Sequence, residues 1–180
     1  MKFLKVTLIV IVSIVAIVLV LGLVAKNEIK IERTVVINKP KADVFNYIKL
    51  IKNEVKYNKW PMADPNLRVT YTGTDGTPGF TSKWDSDMKE VGSGEHEIKK
   101  ITEGERVDTE VRFFKPFEGK GDSYMTTQSA GDNQSKVAWG FYEKMKYPMN
   151  VMLLFIDIPG MLGKDMDESL NTLKSNIEKQ

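Results

Sequence analysis

His96 is the one histidine in the chain of 180 residues, and so the one side chain whose ordinary titration falls near neutral pH. An imidazole there could act as a general acid or base. No cysteine and no second histidine accompanies it, which excludes disulfides, thiolate nucleophiles, thiolate metal sites and His-rich metal centres. Its setting, Glu95-His96-Glu97 beside the glycines Gly92 and Gly94, predicts an exposed or edge strand position with a structural role. Asp85 and Asp87 share a face at a strand end, without a third ligand at calcium-loop spacing. Asp165, Asp167 and Glu168 read as charge complement near a helix start. Gly73-Thr74-Asp75-Gly76 lacks the Lys-Ser/Thr pair and the following helix of a phosphate loop. Tyr71, Tyr124, Tyr142 and Tyr147 carry hydroxyls that could meet a ligand, and the pattern does not say which of them face inward. These residues define no catalytic set and no metal site, and they imply no cofactor.

The elements that must position such groups are legible from periodicity. Ile29–Ile37 alternates with period two and is rich in β-branched residues, a strand with Ile29, Ile31, Arg33, Val35 and Ile37 on one face. Pro40 then opens a helix, in which Val44, Phe45, Tyr47, Ile48 and Ile51 recur at helical spacing. A second short helical or irregular segment runs to Trp60, where Pro61 is expected to stop it. Six strands follow, over 67–72, 80–86, 95–101, 107–114, 121–128 and 136–145, punctuated by glycine-rich turns. Short connections between consecutive strands imply antiparallel pairing, giving about seven strands in one meandering sheet. Near the C-terminus Met161, Leu162, Met166, Ser169, Leu170, Leu173 and Ile177 form the apolar stripe of a long helix opening at Pro159-Gly160. The expected class is α+β, a strongly bent seven-stranded antiparallel sheet covered on its concave side by this last helix.

The first 26 residues belong to another class. Residues 6–25 read VTLIVIVSIVAIVLVLGLVA, twenty residues without a charge. At 1.5 Å per residue they span a hydrocarbon core of about 30 Å, and no polar stripe marks them as a buried core helix. A cleavable secretory signal is the alternative. It expects a shorter apolar run and small residues at −3 and −1, whereas Leu23 stands at −3 before Ala25. The reading taken is a retained single-pass anchor over residues 1–26, followed by one domain over 27–180. Lys2 and Lys5 favour an N-terminus inside and a domain on the extracytoplasmic side, although Lys26, Lys30 and Arg33 oppose this under a strict count. From Asn27 onward 23 basic residues face 24 acidic ones. A domain so close to neutral lacks the basic footprint of a nucleic-acid binder. Oligomeric state is not encoded in any of these patterns.

Local strings within this order of elements resemble those of the START-like, or Bet v 1-like (SRPBCC), superfamily, and within it the polyketide cyclase/dehydrase and lipid-transport group. They are Val36-Ile37-Asn38-Lys39-Pro40 with Val44-Phe45; Trp60 with Asp64-Pro65; and Gly76-Thr77-Pro78-Gly79 through Trp84. Gly92-Ser93-Gly94-Glu95 with Ile98, Phe114-Lys115-Pro116-Phe117, Val137-Ala138-Trp139, and Gly163-Lys164-Asp165 with Leu170 and Leu173-Lys174 continue the series. Ser169 departs from the glycine usual before the equivalent of Leu170, a change expected to touch helix packing only. The resemblance implies a helix-grip fold with a cavity between sheet and long helix. It implies a lining of Trp60, Trp84, Phe113, Met125, Trp139, Met149, Met152, Met161 and Met166, and it implies no fixed chemistry. Eight of the nine methionines follow the anchor, and flexible thioethers suit an adaptable apolar pocket. The function read from this is membrane-anchored binding of a small hydrophobic molecule, a lipid, isoprenoid or polyketide-like compound. The alternatives are a protein-interaction or stress-related module, which needs an exposed apolar patch on the outer sheet face, and a cyclase- or dehydratase-type enzyme.

Overall fold

A computed structural model describes residues 2–180. The apolar segment forms helix α1 (Lys2–Val24), and Phe3–Val24, with a mean hydropathy of 3.2, is long and apolar enough to cross a membrane. Strand β1 (Glu28–Ile37) follows, with Ile29, Ile31 and Ile37 buried along one face as the alternation requires. Helix α2 (Lys41–Ile48) buries Val44, Phe45 and Ile48. A 3-10 turn (Ile51–Lys56) and the short helix α3 (Lys59–Ala63) complete the first connection.

Pro61 does not end this segment as expected; it sits inside the first turn of α3. The backbone N–H groups of a first turn have no intrahelical partner, so a residue without one is accepted there.

The sheet is β2 (Arg68–Thr72), β3 (Thr81–Asp85), β4 (Ser93–Thr102), β5 (Arg106–Lys115), β6 (Gly119–Gly131) and β7 (Gln134–Lys144), with β1 added beside β7. Its order is β1-β7-β6-β5-β4-β3-β2 and every pairing is antiparallel. Ser93 and Gly94, expected in a turn, open β4 instead. A second 3-10 turn (Met149–Leu154) leads into helix α4 (Ile158–Glu178).

Met166, Leu170, Leu173 and Ile177 of α4 pack with Ile29, Ile31, Val137 and Trp139 of the sheet in the larger hydrophobic cluster. A smaller one joins Phe45, Ile51, Phe80, Ile98 and Val107. Neither draws a residue from α1, so the core of the domain closes without it. Arg33, on the inward face of β1, passes beneath α4 and pairs with Asp167 at 3.1 Å. It is accommodated because Gly163 has no Cβ, which would collide with the guanidinium.

Candidate ligand-binding cavity

The inward face of the sheet does not meet α4 everywhere. Between them lies a cavity of about 340 Å³, near the lower end of the range for small-molecule sites. Trp60, Trp84, Phe113, Trp139 and Met166 line it, together with Phe141. The aromatic rings meet edge to face: Trp60 on Trp139 at 6.3 Å, Trp84 on Phe113 at 6.1 Å, and Phe113 on Phe141 at 6.5 Å between centroids. Such contacts contribute beyond the area they bury and fix ring orientation.

Two indoles are held by hydrogen bonds as well. Trp84 Nε1 donates to the Val91 carbonyl at 3.2 Å, and Trp139 Nε1 donates to Ser123 Oγ at 3.0 Å. Ser123 passes its own proton to the Gly140 carbonyl. Trp84 lies across its partner strand because the residue opposite is Gly94; a Cβ there would run into the indole and the Arg112 carbonyl.

Trp60 is positioned by α3, whose first turn Asn58 caps by accepting from Trp60 N–H. Lys59 then fastens α3 to α4. Its N–H donates to Ser169 Oγ at 3.0 Å, and its ammonium reaches Asp165 at 2.7 Å and Glu168 at 2.6 Å. The departure at Ser169 therefore does more than adjust packing, because its hydroxyl ties the two helices together. Asp165, Asp167 and Glu168, expected near the start of this helix, lie about two turns or more inside α4, beyond the reach of its N-terminal dipole, and serve as partners for Lys59 and Arg33.

Four residues of the expected lining lie elsewhere. Met125 is buried in the core, where its sulfur accepts from Tyr57 Oη at 3.7 Å. Met149 and Met152 belong to the second 3-10 turn, and Met161 is 62 % exposed on the first turns of α4. That turn packs at the end of α1, outside the space between sheet and helix.

The lining also includes residues that periodicity did not single out: Glu54 and Val55 of the first 3-10 turn, and Glu143. A six-residue 3-10 turn carries no 3.6-residue stripe. Glu143 could have been found, since it continues the inward alternation of Val137, Trp139 and Phe141 on β7. Burial pushes its carboxyl above the usual carboxylate range.

His96 departs most from expectation. It is 9 % exposed and sits on β4 between β3 and β5, opposite Ser82 and Val111. Alternation turns Glu95 and Glu97 outward to Arg112 and brings His96 to the cavity wall. Its Nδ1 lies 3.0 Å from Glu54 Oε2, while its Nε2 is buried with no partner among the described residues.

The tyrosines named for their hydroxyls do not line the cavity. Tyr124 donates to Glu32 and receives Arg106 over its ring, Tyr147 donates to the Leu19 carbonyl, and Tyr71 stacks on Phe80. Asp85 and Asp87 are both taken by Arg68, at 2.8 and 3.0 Å.

No family model and no curated protein matches this chain. Solved structures do. The crystal structure of Ara h 8.0201 is 16 % identical, covers 85 % of this chain and 99 % of its own, and superposes with a TM-score of 0.59. Norcoclaurine synthase from Thalictrum flavum, in complex with dopamine and hydroxybenzaldehyde, is 10 % identical, covers 88 % of this chain and 91 % of its own, with a TM-score of 0.64. A protein from Chromobacterium violaceum gives 14 % identity, 84 % and 97 % coverage and a TM-score of 0.57. At such identities the likeness is one of architecture, and the architecture is the Bet v 1 helix-grip fold.

Proposed function

We propose that this chain is a membrane-anchored binding protein that holds a small hydrophobic molecule, lipid-, isoprenoid- or polyketide-like, between its sheet and α4. The observation that carries the reading is the cavity, which gathers all three tryptophans of the chain in one apolar wall. Packing that merely filled a core would leave no such space, because interiors close to the density of organic crystals. The fold is shared with a norcoclaurine synthase solved with dopamine and hydroxybenzaldehyde, so the architecture accommodates small aromatic guests.

Residues 1–26 serve as the anchor and 27–180 as the binding domain, with the domain on the extracytoplasmic side in keeping with Lys2 and Lys5 ahead of α1. The placement of the cavity supports a role at the bilayer. Glu28 pairs with Lys144, Glu143 with Gly121, and Gly119 with Phe113. The cavity residues Phe113, Lys115 and Glu143 therefore stand at the end of the sheet from which α1 departs. Exposed apolar side chains gather at the same end, Phe117 on the β5–β6 turn and Leu154, Phe155 and Ile156 beside α1.

The interaction-module alternative gains no support from the outer sheet face. That face carries an ionic network of Arg112 with Glu95, Glu97 and Glu110, extended by Lys120, where a docking patch would be apolar.

Intrinsic fluorescence tests the reading. Titration of the domain with a brominated apolar compound, a quencher on contact, should extinguish most of the tryptophan emission at one equivalent. Quenching no greater than that of free tryptophan at the same concentration would reject an accessible cavity.

A further inference from the structure

One fully buried polar atom in the cavity wall has nothing to bind. Glu54 Oε2 and His96 Nδ1 are 3.0 Å apart, with side chains 17 % and 11 % exposed. A carboxylate offers only lone pairs, so the shared proton resides on Nδ1 and His96 donates. In the neutral ring this leaves Nε2 as a lone-pair acceptor. Nε2 is buried and unpartnered, a state that costs free energy and that native proteins rarely leave unresolved.

Its surroundings do not resolve it. Ser82, directly opposite on β3, makes no hydrogen bond to it. The Ser123 hydroxyl is committed to Trp139 and Gly140, and Asn58, whose Oδ1 accepts from Trp60 N–H, brings no Nδ2 donor within hydrogen-bond distance of it. The ring nevertheless borders the cavity. Nε2 itself exposes almost no surface to the empty cavity, so a ligand group reaches it only by a small displacement of the wall, and that group must be small.

We infer that His96, oriented by Glu54, is the polar anchor of the site, and that the ligand is an apolar molecule bearing a hydroxyl that donates to Nε2. This inference rests on the binding reading above and specifies its ligand class. A hydrocarbon would leave the acceptor unsatisfied. A carboxylate would set its charge beside Glu54 and Glu143, and would need a proton on Nε2. Phenols and aliphatic alcohols share the chemistry that Nε2 recognises.

The test uses residues 27–180 without a polyhistidine tag, so that every imidazole signal belongs to His96. Nitrogen-15 NMR should find the proton on Nδ1 and a bare Nε2; a proton on Nε2 overturns the assignment. Affinities are then compared for 2-naphthol and its near-isostere 2-methylnaphthalene, and for 1-nonanol and decane. The hydroxylated member of at least one pair should bind about threefold to tenfold more tightly, the worth of one net hydrogen bond, and should shift the Nε2 resonance.

The pair that shows the preference separates a phenol from an aliphatic alcohol. His96→Phe, close in shape, should retain the hydrocarbon affinity and lose the preference. The Nε2 shift in the unmutated domain carries the test if that variant does not fold. Equal binding within both pairs overturns the anchor while leaving the cavity reading intact. Tighter binding of 2-naphthoate than of 2-naphthol overturns the acceptor role. Failure of all the probes to bind overturns the cavity reading, and the anchor with it.

Discussion

Inside the cavity wall, Glu143 carries the energetics of a carboxyl held partly out of water. Burial raises its folded pKa above the ordinary value of about 4.3. The folded state thus retains a proton that the unfolded state has released. Stability is fullest below the unfolded value and falls as pH rises through the folded one. Glutamine keeps the shape and cannot ionise, so Glu143→Gln should match the unmutated protein near pH 4 and exceed it at pH 7. The gain in melting temperature should be roughly 1 to 2 °C, since partial exposure screens the effect. Thermal melts across that range check this; a gap independent of pH would show that burial does not govern the group.

Residue identity alone exposed some of this chemistry and hid the rest. The tryptophans could be placed in the lining because the resemblance assigned them to inward positions on strands and helices. His96 could not be placed, because the two glutamates flanking it carry the same local pattern whether the strand is central or at an edge. What decides between these is that β2 and β3 extend the sheet beyond β4, a long-range fact. Glu54 was equally hidden, since its pairing with His96 spans 42 positions.

Among the elements, the regular ones were legible and the short helical turns were not. Period-two alternation located β1, glycine-rich turns delimited the other six strands to within a few residues, and the stripe from Leu162 to Ile177 located α4. The segment 149–156 has neither period. In the structure it is the element that meets α1. Asn150 Nδ2 donates to the carbonyls of Gly22 at 2.8 Å and Ala25 at 3.2 Å, and Tyr147 Oη to that of Leu19 at 3.1 Å. The two Asn150 bonds satisfy carbonyls at a helix end that would otherwise lack partners. The helix stays close because Gly22 has no Cβ, which would crowd Tyr147 and Val151.

Phe155, beside this junction, is 74 % exposed, an unfavourable placement in water and a favourable one at a bilayer surface. Two single-cysteine variants test the arrangement in the full chain, which has no native cysteine. Phe155→Cys carrying a polarity-sensitive fluorophore should report an apolar environment in liposomes. Asp132→Cys, on the β6–β7 turn at the far end of the sheet, should react with a membrane-impermeant maleimide in intact cells. An aqueous spectrum at 155 would contradict membrane seating, and protection of 132 until lysis would place the domain inside.

The whole molecule joins three features: an apolar helix able to span a bilayer, a helix-grip domain with a closed core, and an apolar cavity at the strand ends nearest the helix. A ligand that partitions into the bilayer would find the cavity within reach, while the charged outer sheet faces water. The α+β class and the antiparallel run from β2 to β7 followed from patterning and short turns; the place of β1 beside β7, and not beside β2 as a simple meander would have it, did not. The volume left open between the elements did not, because a cavity is a property of packing and leaves no period in a sequence.

The most direct measurement is native mass spectrometry of residues 27–180 purified from the cells that make them, followed by organic extraction. The domain should carry one apolar, hydroxyl-bearing molecule per chain, lost on denaturation. A domain that emerges empty, and that also takes up no hydrophobic probe, would contradict the binding reading.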